Sequence, residues 1–212
     1  MYIYIADEVP GLLVNHHLIT LLDQAASQGL IQEHIKIISY ANPIGLSQNI
    51  LGTHLGRFHF DTGTNFNRDF PDLQVPIINL LHTRNILKKD DAIYNIKIIR
   101  QCILEILDEY YITNTIDKSI KKELYRLCSI ADIVLDLHCD TNAVLHMYTH
   151  DRLWPHLSDL SAELQAYCTL LAPSAGGNPC DEVCICYYVL YSHLVYYIQY
   201  VHMVPYIVYK CI

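Results

Sequence analysis

The residues best suited to chemistry sit in ADIVLDLHCD, 131–140. An apolar run ends at the imidazole of His138, with Asp136 and Asp140 on either side. Imidazoles and carboxylates are ligands for Zn²⁺. A catalytic zinc takes three protein ligands and keeps a fourth position for water, and two histidines with one glutamate make a standard set. In that pattern two ligands lie close together at a turn or helix start, and the third arrives from a distant strand. His138 fits the distant ligand. Glu8, at the start of the first helical segment, fits the carboxylate of the close pair. A His-x-x-Glu spacing would put the missing histidine at position 5, and position 5 is Ile. Asp136 alternates with His138 along the run, so it shares the same face and can orient the imidazole. Without a metal, His138 is a strand-end histidine and Glu8 supplies charge to a helix N-terminus.

These side chains need elements to position them. Residues 7–29 have helical spacing, with Asp7 and Glu8 in the first turn, Val14, Leu18, Leu21 and Ala25 on one face, and Gly29 as the stop. Residues 34–41 read as a strand that runs into the turn signal NPIG, and 46–75 as a long loop of the kind that carries function. Helices are predicted over 90–110, with its stripe of isoleucines, and over 115–128, through Ile116, Ile120, Leu124 and Leu127. A strand at 132–138, an apolar stretch at 143–149 and a helix at 157–171 follow. Helices alternating with short apolar strands predict an α/β domain with a mixed, largely parallel sheet flanked by helices. In such sheets ligands bind beyond the carboxyl ends of the strands, which is where His138 falls.

Composition narrows the possible partners. The 212 residues suffice for one domain with a full core, and a net charge of −8 argues against nucleic acid, which requires a basic face. The Lys88-Lys89 and Lys121-Lys122 pairs read as solvated helix faces. No leader is recognisable after Met1, and the eight cysteines do not form a disulfide framework, so the expected location is cytoplasmic. Cys180, Cys184 and Cys186 lack the Cys-x-x-Cys pairing of a structural zinc site. His146 reads as a satisfied strand histidine, and His16 and His17 lie too far along the first helix to replace the absent ligand. From Ile185 on, the chain has no acidic residue and holds 8 of its 17 tyrosines. That tail is unlike a native strand pair, and its polar residues and missing basic flank argue against a membrane span. The expected division is a catalytic domain over 1–183 and an aberrant Tyr-rich tail over 184–212.

Five blocks occur in order: ADEVPGLLVNHHLITLLD, ANPIGLSQ, HLGRFHFDTGTNFNRDFPDL, DIVLDLHCDTNAVLHMYTH and SAGGNPCDEV. Together they resemble the succinylglutamate desuccinylase/aspartoacylase family of zinc carboxypeptidase-like deacylases, over about residues 6–183. The resemblance implies a zinc-dependent amide hydrolase that removes acyl groups from small N-acyl amino acids or similar carboxylate-bearing amides. It makes Glu8 and His138 metal ligands, with Ile5 where a ligand histidine belongs, so weak zinc binding is expected. It gives Asn67 and Arg68 the substrate carboxylate, for which a planar guanidinium and an adjacent amide are suited. Arg57 would polarise the scissile carbonyl.

Both ends depart from the family pattern. MYIYI stands in place of the first strand and its histidine, and no carboxylate follows Glu182 to act as general base. The sheet is therefore expected to be incomplete, and the ends to reflect truncation or a change of reading frame. Two other functions stay open: a non-catalytic remnant that binds carboxylates through Asn67 and Arg68, and a protein tethered to a membrane by its tail.

Overall fold

The computed structural model describes residues 1–54, 56–88, 91–109, 111–139, 143–173 and 206–211. In chain order the first elements are β1 (Tyr2–Ala6), α1 (Val9–Ser27), β2 (Ile35–Ile38), α2 (Pro43–Ser47), β3 (Asn49–Ile50) and β4 (Thr53–His54). The helices α3 (Gln74–Arg84), α4 (Ala92–Glu109) and α5 (Ile116–Ser129) come next. The chain continues through β5 (Ile133–His138), β6 (His146–His150), α6 (Ser158–Glu163), β7 (Cys168–Ala172) and β8 (Tyr206–Cys211). These elements form two compact units. One comprises Met1–Asn67 and Ala131–Pro173 with β8, the other Arg68–Ile130.

The first unit is built on a six-stranded sheet of order β2-β1-β5-β8-β6-β7, parallel at every joint except β6–β8. The fold is thus mixed α/β with a largely parallel sheet flanked by helices, as the alternating elements predict. The expectation that MYIYI displaces the first strand is corrected. Tyr2–Ala6 is a strand, paired in parallel with β2 on one side and β5 on the other. Its alternation of aromatic and β-branched residues suits a pleated strand. Ile3 and Ile5 are buried to 0% and 1% exposure, each worth about 1.5–3 kcal/mol in removed apolar surface. Only the histidine is missing from it.

The tail also differs from its reading. Tyr206–Cys211 lies between β5 and β6, parallel to the first and antiparallel to the second. Its partners come from distant parts of the chain, so no local turn is needed to make it a strand. Residues 174–205, which hold Cys180, Glu182, Cys184, Cys186 and most of the apolar tail, lie outside the described residues, as does Asp140. Among the described residues no helix is long and apolar enough to cross a membrane.

Helix 157–171 is corrected to the shorter α6 followed by β7. Gln165 turns the chain with φ +54, while its N–H and that of Ala166 donate to the carbonyls of Ala162 and Ser161. That closure ends the helix without a glycine. The Cys-Thr-Leu-Leu-Ala run of Cys168–Ala172 then pairs in parallel with β6.

The second unit packs α3 on α4 and α4 on α5. The isoleucine stripe of α4 holds at Ile99, Ile103 and Ile106, all buried, while Ile93 is exposed. On α5 the buried face is rotated from its expected position to Lys121, Leu124, Tyr125 and Cys128. Lys121 is therefore not on a solvated face: it is 3% exposed, and burial pulls its ammonium below the usual lysine range. Helix α3, which the sequence reading does not predict, buries Ile77 and Leu81.

Within the first unit, the segment expected to be a loop is cross-braced. Asn42 caps α2 by accepting from the Gly45 N–H at 2.9 Å. Gln48 donates to the Phe58 carbonyl and accepts from the Phe60 N–H, each at 2.6 Å. His54 receives the Gly56 N–H on Nδ1 at 3.1 Å, and its Nε2 bonds the Leu46 carbonyl at 2.9 Å. Phe66 N–H then donates to the Arg57 carbonyl at 2.9 Å, which fixes the backbone beneath that arginine. Gly45 is required by close approach, since a Cβ there would meet Asn42 Nδ2 at 2.3 Å and the Gly56 carbonyl oxygen at 2.5 Å. Gly45→Ala is expected to lower stability by about 1–3 kcal/mol through overpacking, read as a fall in the urea midpoint at unchanged m-value.

Candidate metal centre

The register of β1 against β5 builds the site. Ile3 pairs with Val134 and Ile5 with Asp136, so these side chains share one face of the sheet. One more step of the same alternation carries the chain to Asp7 on one side and His138 on the other. Helix α1 begins at once, and its first turn lies close on the strand ends. A Cβ on Gly11 would come within 3.0 Å of both Ala6 Cβ and the Leu137 carbonyl. Asp7 and Glu8 are therefore not in the first helical turn. Glu8 is the N-cap residue, with extended backbone and no side-chain cap, so its carboxylate is directed elsewhere.

That carboxylate accepts from the Cys139 N–H through Oε2 at 2.9 Å, and Oε1 is ion-paired with the Arg57 guanidinium. His138 Nδ1 lies 3.7 Å from Glu8 Oε1 and 3.6 Å from Asp7 Oδ1. The other ring nitrogen, Nε2, is 2.9 Å from Asp136 Oδ2. A carboxylate only accepts, so whenever the ring is neutral, as a metal requires, Nε2 carries the proton and Nδ1 holds the lone pair. Asn67 closes the back of the site, with Nδ2 donating to Asp136 Oδ2 at 3.4 Å and lying 3.4 Å from His138 Nε2.

Ligand atoms of Asp7, Glu8 and His138 all lie within 4.8 Å of one another. Asp7 and Asp136 are 1% and 0% exposed, and His138 is 8% exposed. Burial works to lower the imidazole pKa. The Asp136 charge and hydrogen bond, with the Asp7 charge, outweigh burial and the opposing charge of Arg57, so the ring stays protonated above its ordinary range.

Five residues read from the sequence thus meet here: Glu8, His138, Asp136, Asn67 and Arg57. Arg68 begins the second unit and is half-buried. His146 stands apart. Its Nδ1 is 2.8 Å from the Val144 carbonyl, and Cys211 of β8 separates it from His138 in the sheet, a gap of about 10 Å at two strand spacings. His150 is 2.8 Å from Asp151. The residue missed by reading the sequence is Asp7. Its signal is the alternation Ile3-Ile5-Asp7, which carries the strand's facing one residue past β1, where the helical spacing predicts a first turn.

No protein-family model matches the chain, and no curated protein does. Two solved structures share its fold. One is a protein from Shewanella amazonensis assigned to the succinylglutamate desuccinylase/aspartoacylase family, with TM-score 0.80 and 23% identity over 99% of this chain and 57% of that one. The other, assigned as a succinylglutamate desuccinylase/aspartoacylase from Shewanella frigidimarina, has TM-score 0.75 and 23% identity over 99% of this chain and 56% of that one. This chain spans a little over half the length of those structures.

In metal-free protein the raised His138 pKa contributes stability that is fully present below the unfolded value of about 6.5. It is lost as pH rises through the folded value. Asp136→Asn should lower the His138 pKa, followed by NMR titration of its ring nitrogens. An unchanged pKa would remove Asp136 as the controlling group.

Proposed function

We propose that the chain is a member of the succinylglutamate desuccinylase/aspartoacylase family. Its first unit binds one divalent metal ion, zinc by that resemblance, in a site for hydrolysing the amide of an N-acyl amino acid or similar carboxylate-bearing amide. The observation carrying this reading is the meeting of Glu8 and His138 at the carboxyl ends of adjacent parallel strands, with Asp136 behind the imidazole. The shared fold and the ordered sequence blocks support it.

The donor set fits a metal. Two bonds of about 2.1 Å at a near-tetrahedral angle hold their ligand atoms about 3.5 Å apart, close to the 3.7 Å between His138 Nδ1 and Glu8 Oε1. The ion, when bound, polarises an amide carbonyl and makes water a better nucleophile. Asp136 holds the ring so that Nδ1 points to the centre, and Asn67 holds Asp136. The Arg57 guanidinium places positive charge at the same centre, where a carbonyl oxygen would gain negative charge. The Asn67-Arg68 pair is the proposed recognition element for the substrate carboxylate, on sequence resemblance.

One feature limits turnover: Ile5 supplies no ligand where the resemblance places a histidine. It favours a second reading: a protein that binds carboxylate-bearing amides with little or no hydrolysis.

Metal analysis of the purified full chain should find zinc that is lost in His138→Ala, and Ile5→His should bind zinc at least about tenfold more tightly, on the scale by which metal-site partners act. Calorimetry with N-succinyl-glutamate or N-acetyl-aspartate should show binding that Arg68→Lys weakens. Product formation above the His138→Ala background separates hydrolysis from binding alone. Zinc content indifferent to His138 would sink the metal reading.

A further inference from the structure

The sequence leaves a three-ligand site with two ligands, and the structure brings a third group to it. We propose that Asp7 takes the ligand place left open by Ile5, giving a one-histidine, two-carboxylate site of His138 Nδ1, Glu8 and Asp7. This inference rests on the metal-site reading above and changes how strongly the site discriminates between ions.

Position comes first. Ile5 pairs with Asp136 in the sheet, and the paired register ends at Ala6 with Leu137, one residue before Asp7 and His138. Asp7 Oδ1 is 3.6 Å from His138 Nδ1, nearly the same as the 3.7 Å from Nδ1 to Glu8 Oε1. Both carboxylates are thus equidistant from the one ring nitrogen that Asp136 turns toward them. Distances of this size suit two ligands on a shared ion, with bonds of about 2.1 Å.

Charge is the second, independent observation. Asp7, Glu8 and Asp136 bring three carboxylates against one guanidinium and one imidazole, and Asp7 and Asp136 are fully buried. Among the described residues Asp136 Oδ1 has no hydrogen-bond partner. Buried carboxylates are retained where a cation or a dense set of donors offsets their lost hydration. Arg57 pairs with Glu8 and His138 with Asp136, and a divalent ion at the centre would add positive charge beside Asp7 and Glu8.

Chemistry then sets the preference. Carboxylate oxygens favour harder ions such as Mn²⁺, and imidazoles favour zinc. Replacing one histidine of a two-histidine set by Asp7 therefore narrows the advantage of Zn²⁺ over Mn²⁺, although Zn²⁺ binds more tightly in absolute terms.

The test titrates Mn²⁺ alone and Zn²⁺ alone into metal-free full-length protein by calorimetry, with pulsed electron paramagnetic resonance on the Mn²⁺ form. Wild type should bind one Mn²⁺ with a single imidazole nitrogen coupled to it. Asp7→Asn, which keeps side-chain volume, should weaken Mn²⁺ at least about tenfold. The double variant Ile5→His/Asp7→Asn should recover zinc affinity but not Mn²⁺ affinity, which an unfolded protein could not do. Binding lost in His138→Ala but untouched in Asp7→Asn would overturn the role of Asp7 and leave the metal site standing. A wild-type chain that binds neither ion would overturn both.

Discussion

Parallel pairing of β1 with β5 is the constraint on which the rest of the first unit depends. Two strands 131 residues apart in register deliver their carboxyl ends to the same edge of the sheet, so Asp7 and Glu8 arrive where His138 arrives. Parallel strands require long crossover connections, and the segment between them contains both the braced loop that presents Arg57 and Asn67 and the whole second unit. A slip of β1 by one residue in this register would turn Ile3 and Ile5 to the face opposite Asp136 and separate Asp7 from His138. Buried Ile3 and Ile5 hold that register, because exposing both would cost about 3–6 kcal/mol.

Electrostatics at this end of the sheet follows from the geometry. Each acidic group has its own relation to the centre. Asp136 grips Nε2 from behind, Glu8 divides its oxygens between the Cys139 amide and Arg57, and Asp7 faces Nδ1. The imidazole is thereby fixed in ring orientation and tautomer before any ligand arrives, which removes an ordering cost that a mobile histidine would carry. The same arrangement raises its pKa despite burial, since several negative charges at short range exceed the desolvation penalty.

Much of this was legible in the residues. The end of an apolar run at His138 marked a strand end, and the Asp136–His138 alternation marked a shared face. The chemistry of a helix-start carboxylate pointed to Glu8. What misled was locality. Acidic residues favour helix N-termini, which points Asp7 to a helix turn, yet Asp7 lies between the end of β1 at Ala6 and the start of α1 at Val9. A lysine pair points Lys121 to solvent, yet α5 turns that face inward beside Leu124 and Tyr125. The tail had no turn residues to announce a strand, yet Tyr206–Cys211 pairs with neighbours far away in the chain.

By itself the sequence determined which side chains could do chemistry here, the alternation of helices with short strands, and the loss of an imidazole at position 5. Side-chain chemistry, hydrophobic period and spacing are local properties, and they need no partner to be read. Tertiary structure alone decided that MYIYI is a central strand, that Arg57 meets Glu8, and that Asp7 stands level with His138. The first and last depend on pairing of strands 131 positions apart, whose register is set by the buried faces of the whole sheet, and the second on a braced loop that returns to the start of the chain.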